Sequence, residues 1–214
     1  MKVFDFPQRS EQWYAARLGR LTGSCADAML ATIKSGEAAA RRDLRYRLVA
    51  ERLSQQSQES TFVNDAMRWG IEHEGEAIAA YESLTGNLVV PVGFIALADV
   101  MAGCSPDGII GDCDGLVSIK CPKTATQIRY LRESRVPPDY LPQILCELWV
   151  TGAQWVDFFS FDPRLPDPLR AFLVHYKRDE TAVRDFEAKA LRFLEEVDRE
   201  HQSLLGWGAM KEAV

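Results

Sequence analysis

Two short runs hold the residues best placed to do chemistry together. One is Ser105-Pro106-Asp107-Gly108; the other is Gly115-Leu116-Val117-Ser118-Ile119-Lys120, which leads into Cys121-Pro122. Both read as strands joined by a turn, so Asp107 on one can meet Lys120 on the other. Strand alternation puts Ser118 and Lys120 on one face and Val117 and Ile119 on the opposite face. A carboxylate beside an ammonium suits metal-assisted phosphodiester cleavage. The carboxylate holds a divalent cation, and the ammonium orients water or stabilises developing charge. The residues alone leave a second reading open, a plain Asp107–Lys120 salt bridge in an unrelated α/β protein.

Several other elements must bring partners to this pair. A helix over 64–85 carries Glu74 one turn from Ile71, Ala77 and Ile78. A carboxylate on that side needs a partner or a metal, unless it belongs to a solvated stripe with Glu72 and Glu76. A helix over 140–150 places Gln143 and Glu147 four residues apart on one face. Over 8–32 a helix begins, breaks at Gly19 and gives way to a second helix capped near Thr22-Gly23-Ser24. An arginine fork at Arg17 and the hydroxyl of Ser24 at a helix N-terminus would form an anion site. The plainer alternative is a surface arginine and a capping serine. A helix over 124–134 bears Arg129 and Arg132, read either as phosphate contacts or as a solvated face.

The remaining pattern supplies a scaffold. β-prone runs at 88–91, 93–97 and 100–104 are expected to join 105–110 and 115–120 in one mixed sheet, with further strands at 155–161 and 171–176. A helix over 38–57 has an apolar stripe of Leu44, Leu48, Val49 and Leu53, followed by a polar linker to Ser60. The loop 162–168 is expected to reach a neighbouring subunit. A long amphipathic helix over 179–203 is expected to pack across the sheet, followed by a tail over 204–214. The fold class is therefore α/β (α+β), with a central mixed sheet flanked by helices.

At 214 residues the chain is expected to form one domain. No apolar run reaches the roughly 18 residues that a membrane span needs, and no signal-peptide core is evident, so a cytoplasmic, non-membrane protein is expected. The five cysteines are odd in number and scattered, without a zinc-type spacing, and read as reduced thiols. A net charge of −6 argues against a uniformly basic binder but permits a local basic track. Arg41, Arg42, Arg45, Arg47 and Arg52 form one such basic group, with compensating acids in the C-terminal third.

The order Trp13-x3-Arg17-Leu18-Gly19-x2-Thr22-Gly23-Ser24, Trp69-Gly70-x3-Glu74-x2-Ala77, SPDG, GLVSIKCP and the helix glutamine Gln143 resembles the lambda-exonuclease (YqaJ-like) family of phage recombination exonucleases. That family has the PD-(D/E)XK restriction-endonuclease-like core, and the resemblance spans nearly the whole chain. It implies a Mg²⁺-dependent 5′-to-3′ exonuclease of double-stranded DNA that leaves 3′ single strands for recombination by strand annealing. It also implies two metal ions per site, with Mn²⁺ able to substitute. A toroidal homotrimer on DNA ends and a single-strand annealing partner come from the same source. By resemblance, Asp107 and the carbonyl of Ile119 hold metal, Lys120 acts on the water or scissile phosphate, and Gln143 and Glu74 lie beside the active site. Arg17 and Ser24 would lie near the 5′ phosphate.

One position departs from the family. Glu-x-Lys is its usual strand motif, whereas this chain has Ser118-Ile119-Lys120. A neutral serine is a poor Mg²⁺ ligand, and Asp107 alone leaves one anionic ligand. Three accounts follow. Glu147 or Glu74 supplies the charge from a helix, with Ser118 a secondary ligand; or Ser118 is an engineered substitution; or the chain is a naturally silenced protein that binds DNA ends without cutting. A PD-(D/E)XK endonuclease is the further rival.

Overall fold

The structure, a computed structural model, describes residues 1–59 and 63–207. Its described strands are β1 (Lys2–Phe4), β2 (Leu21–Thr22), β3 (Phe94–Ala96), β4 (Ala102–Cys104), β5 (Gly108–Ile110), β6 (Gly115–Lys120), β7 (Trp155–Phe161) and β8 (Ala171–Lys177). The helices are α1 (Glu11–Arg17), α2 (Ala26–Leu30), α3 (Ala39–Ser54), α4 (Asp65–Thr85), α5 (Thr124–Glu133), α6 (Leu141–Thr151) and α7 (Glu180–Leu205).

The mixed α/β class holds, but the strands divide between two four-stranded sheets, in the orders β1-β3-β4-β2 and β5-β6-β7-β8. Pro106 explains the division. It has no N–H for a ladder, so the extended run breaks between Cys104 and Gly108. The segment at 88–91 contributes only an isolated bridge, Val90 to Ile109.

β6 is the centre of the second sheet. It pairs antiparallel with β5 and parallel with β7, and the parallel pairing requires the long crossover that α5 and α6 provide. Residues Gly115–Ile119 are buried, which accounts for a nearly continuous apolar run. Leu116 packs with Ile144 and Leu148 of α6 and Phe158 of β7. On the other face Val117 and Ile119 pack with Ala77 and Tyr81 of α4. The strand that ends in Lys120 is thus held between two helices.

Those helices are locally specified. Asn64 accepts the Met67 N–H at the start of α4, and Gly86 ends that helix with φ 74°, the left-handed conformation that glycine adopts at least cost. Pro142 sits in the first turn of α6, where its missing N–H costs no helical bond.

α7 packs chiefly on α3 and α6, not across a sheet as its amphipathic pattern suggested. Phe186, Ala190, Phe193, Leu194 and Val197 share a core with Leu44, Leu48 and Val49 of α3. Arg41 pairs with Glu196 at 2.7 Å, Arg45 with Glu200 at 2.5 Å, and Arg52 with Asp198. Acids of α7 therefore engage three of the five α3 arginines, and Arg42 pairs with Asp43 of its own helix. In the β7–β8 loop Arg164 turns back onto Asp162 at 2.7 Å and onto the Pro122 carbonyl at 2.9 Å, while residues 166–169 are exposed. Among the described residues, no helix is long and apolar enough to cross a membrane. Residues 208–214 of the expected tail and Ser60 of the expected linker lie outside the described residues.

Candidate active site

A cleft of about 620 Å³ opens where β6 ends, between α4, α6 and the N-terminal segment. Asp107 and Lys120 meet in it. Asp107 Oδ2 accepts the Ile119 N–H at 2.7 Å and lies 3.5 Å from Lys120 Nζ. The carboxylate is therefore fastened to the strand bearing the lysine, and its other oxygen has no protein donor among the described residues. Lys120 Nζ also stands 5.4 Å from the centre of the Tyr140 ring. The loop before Asp107 is pinned from the N-terminus: Trp13 Nε1 donates to Ser105 Oγ at 2.9 Å, and Gln8 Nε2 donates to the Pro106 carbonyl at 3.1 Å.

α6 brings a second carboxylate. Glu147 is 1 % exposed yet reaches the cleft, and Gln143 Nε2 donates to its Oε1 at 2.7 Å. Its Oε2 is buried with no hydrogen-bond partner. Burial, the largest influence, pushes this carboxyl up to about 7; Gln143 and Lys120 oppose the rise and Asp107 adds to it. A buried carboxylate oxygen without a donor requires a proton or a cation.

Ser118 shares the Lys120 face of β6, but it is buried, its Oγ has no partner, and it does not line the cleft. As a direct metal ligand it is not supported. Its side chain is buried outside the cleft lining, whereas α6 brings the carboxyl group of Glu147 to that lining.

α4 contributes Glu74, which lines the cleft and sits 3.8 Å from Arg9. Burial raises its pKa, helped by Asp107 and opposed by Arg9 and Lys120. It does not belong to the solvated stripe, since Glu72 and Glu76 are exposed. At the far end lies Arg17, only 5 % exposed, its guanidinium 3.9 Å from the Trp13 ring centre. It donates to Ser24 Oγ at 3.2 Å and to Glu59 Oε1 at 2.9 Å. Neither the plain surface arginine nor the merely capping serine survives.

The fold thus brings Asp107, Lys120, Ile119, Gln143, Glu147, Glu74, Arg17 and Ser24 to one cleft. Arg129 and Arg132 are exposed on α5 and do not line it. Sequence reasoning passed over Arg9, Tyr140 and Glu59, all of which do. Glu59 reads as one polar residue in a polar linker, and nothing local marks it as the partner of Arg17. A left-handed φ of 69° at Arg9, unusual for a non-glycine residue, is likewise not written in its identity.

The donors suit a hard divalent cation: Asp107, the bare oxygen of Glu147 and a carbonyl at Ile119 are oxygen ligands of the kind Mg²⁺ takes alongside water. Among the described residues no group of three or more His, Cys, Asp or Glu forms a ready-made metal cluster. The set offers two carboxylates and a carbonyl, so an ion bound there would complete its shell with water or substrate oxygens. The five cysteines are free, and burial pushes the thiol of Cys121, which lines the cleft, up to about 11, with Glu74 and Asp107 adding to the rise. It is not a thiolate ligand or nucleophile near neutral pH.

Comparisons with known proteins bear on this geometry. Residues 12–154 match the YqaJ-like viral recombinase domain. The fold is similar to an alkaline exonuclease, LHK-Exo, from Laribacter hongkongensis, with a TM-score of 0.84 and 35 % identity over 94 % of this chain and 99 % of that one. LHK-Exo in complex with dAMP matches with the same TM-score and 36 % identity, over 94 % of this chain and 99 % of that one. A phage-related exonuclease from Haemophilus somnus 129PT shares the fold at a TM-score of 0.63, with 13 % identity over 86 % of this chain and 96 % of its own. No curated protein matches. The chain belongs to the YqaJ-like viral recombinase family and is a homologue of an exonuclease, on a PD-(D/E)XK fold.

Proposed function

We propose that this protein is a Mg²⁺-dependent 5′-to-3′ exonuclease of double-stranded DNA, releasing 5′-mononucleotides and leaving 3′ single strands for recombination by annealing. The observation that carries the reading is Glu147. A buried carboxylate with a bare oxygen opens into the same cleft as Asp107 and Lys120, in a chain whose strand offers Ser118. The similarity to an alkaline exonuclease, and to its complex with a mononucleotide, supports it.

Asp107, Glu147 and the Ile119 carbonyl would hold Mg²⁺, or Mn²⁺ in its place. A divalent cation there supplies Lewis acidity towards phosphoryl oxygen and lowers the pKa of bound water. Lys120, anchored on Asp107, neutralises charge that develops on the scissile phosphate. Gln143 holds Glu147 in orientation. Glu74, with its raised pKa, is suited to accept a proton from attacking water. Arg17 and Ser24 receive the terminal 5′ phosphate. A toroidal homotrimer around the duplex, a single-strand annealing partner and a cytoplasmic location belong to the same proposal and rest on the family resemblance.

The rival reading, a silenced DNA-end-binding protein, rests on Ser118. Linear duplex labelled at one 5′ end separates the two, digested with Mg²⁺ and with chelator. Mg²⁺-dependent release of labelled mononucleotide, lost in Glu147→Ala, is expected, with closed circular duplex spared. Absence of release until Ser118→Glu restores it would overturn the exonuclease reading in favour of end binding.

A further inference from the structure

The anion site at Arg17 is already filled by the protein itself. Arg17 Nη2 donates to Glu59 Oε1 at 2.9 Å and Oε2 at 3.2 Å, to Ser24 Oγ at 3.2 Å and to Thr22 Oγ1 at 3.4 Å. The Arg17 and Glu59 side chains are 6 % and 17 % exposed, so water screens the pair poorly. Glu59 is also anchored. Glu51, 2 % exposed, accepts the Gly19 N–H at 2.8 Å and the Gln58 N–H at 3.0 Å. One buried carboxylate therefore ties the turn just after Arg17 to the residue just before Glu59. The Glu59 N–H in turn donates to Ser57 Oγ at 3.2 Å.

The charge of the cleft points the same way. Four carboxylates line it (Glu59, Glu74, Asp107 and Glu147) against three basic side chains, Arg9, Arg17 and Lys120. An anionic substrate entering this cleft meets no excess of cations, and Glu59 is the carboxylate that already occupies Arg17.

We propose that Glu59 is an internal competitor for the terminal phosphate of the substrate. Its carboxylate presents its oxygens to Arg17 in the free protein and must leave before a phosphate can take the same donors. The inference rests on the reading that Arg17 receives a 5′ phosphate. A dianionic phosphate outmatches one carboxylate for a guanidinium, so the exchange runs forward. The returning carboxylate weakens the hold on each bound end. For an enzyme that must release one 5′ phosphate and accept the next, the competition keeps the grip from becoming a trap. A 5′-hydroxyl end offers nothing to Arg17 and leaves the pair intact.

The test is equilibrium binding, in chelator, of a hairpin duplex carrying either a 5′ phosphate or a 5′ hydroxyl. Glu59→Gln is expected to tighten the phosphorylated duplex by about tenfold, the scale of one charge-assisted hydrogen bond, and to leave the hydroxyl duplex unchanged. Glu59→Asp, which keeps the charge on a shorter arm, is expected to fall between. In Arg17→Ala the two duplexes should bind alike, and adding Glu59→Gln should then change neither. If Glu59→Gln tightens both duplexes equally, or weakens the phosphorylated one, the competitor role is overturned while the Arg17 reading stands. If Arg17→Ala keeps its preference for the phosphate, the Arg17 reading itself fails.

Discussion

Replacing Glu147 with glutamine changes how stability depends on pH, because the native state holds a proton that the unfolded chain releases. Burial pushes this carboxyl up to about 7, against an ordinary value of 4.5. Between those values the folded protein binds more protons than the unfolded chain, so stability falls as pH rises. The contribution is fully present below pH 4.5 and is lost as pH passes 7. A difference of about 2.5 units corresponds to roughly 3 kcal/mol at 1.36 kcal/mol per unit. The substituted amide would keep an acceptor for Gln143 but could not ionise, so the variant's curve lacks this component. Urea unfolding in chelator, at intervals from about pH 4.5 to 8, reads the difference between wild type and Glu147→Gln. Wild type should lose about 3 kcal/mol relative to the variant across that range. Only the slope counts, since the new amide N–H2 meets no partner and shifts both ends of the curve together. Parallel curves would refute the reasoning: Glu147 would then be ionised in the free protein without a cation, and its bare oxygen would not mark a metal position.

Two further variants test the scaffold. Tyr81 is fully buried and donates to Asp157 Oδ2 at 2.7 Å, while His175 Nδ1 holds the other oxygen at 2.7 Å. Tyr81→Phe strips a donor from a buried carboxylate and should cost about 1.5–3 kcal/mol in chemical denaturation; no loss would show that another donor or water replaces the phenol. At Gly103 in β4 a Cβ would lie 2.3 Å from Phe94 Cζ and 2.6 Å from the Ile95 carbonyl oxygen of the paired strand. Gly103→Ala should therefore destabilise by about 1–3 kcal/mol, as overpacking does. A melting temperature equal to wild type would mean that the sheet yields there.

Much of the site was legible because the relations that form it are local. Alternation in β6 places Lys120, and the spacing of four in α6 places Gln143 and Glu147 together; the 2.7 Å bond between those two follows directly. Asp107 could be named because the turn before β6 brings it to the strand at short range. Relations that cross the chain were not legible. The packing of α7 on α3 and the exposure of Arg129 and Arg132 away from the cleft depend on how whole elements dock.

The sequence by itself determined the α/β class, the paired Asp107 and Lys120, and a carboxylate available on α6 to stand in for the strand residue. Short-range periodicity and hydrogen-bond spacing suffice for these, because backbone geometry repeats every two or nearly four residues. Only the tertiary structure decided that Ser118 is buried outside the cleft lining, that Glu147 is buried with an oxygen bare, and that Glu59 reaches Arg17 from 42 residues away. Burial and ion pairing between distant segments follow from the packing of α3, α4 and α6 around β6, and no local pattern encodes which side chains that packing leaves face to face.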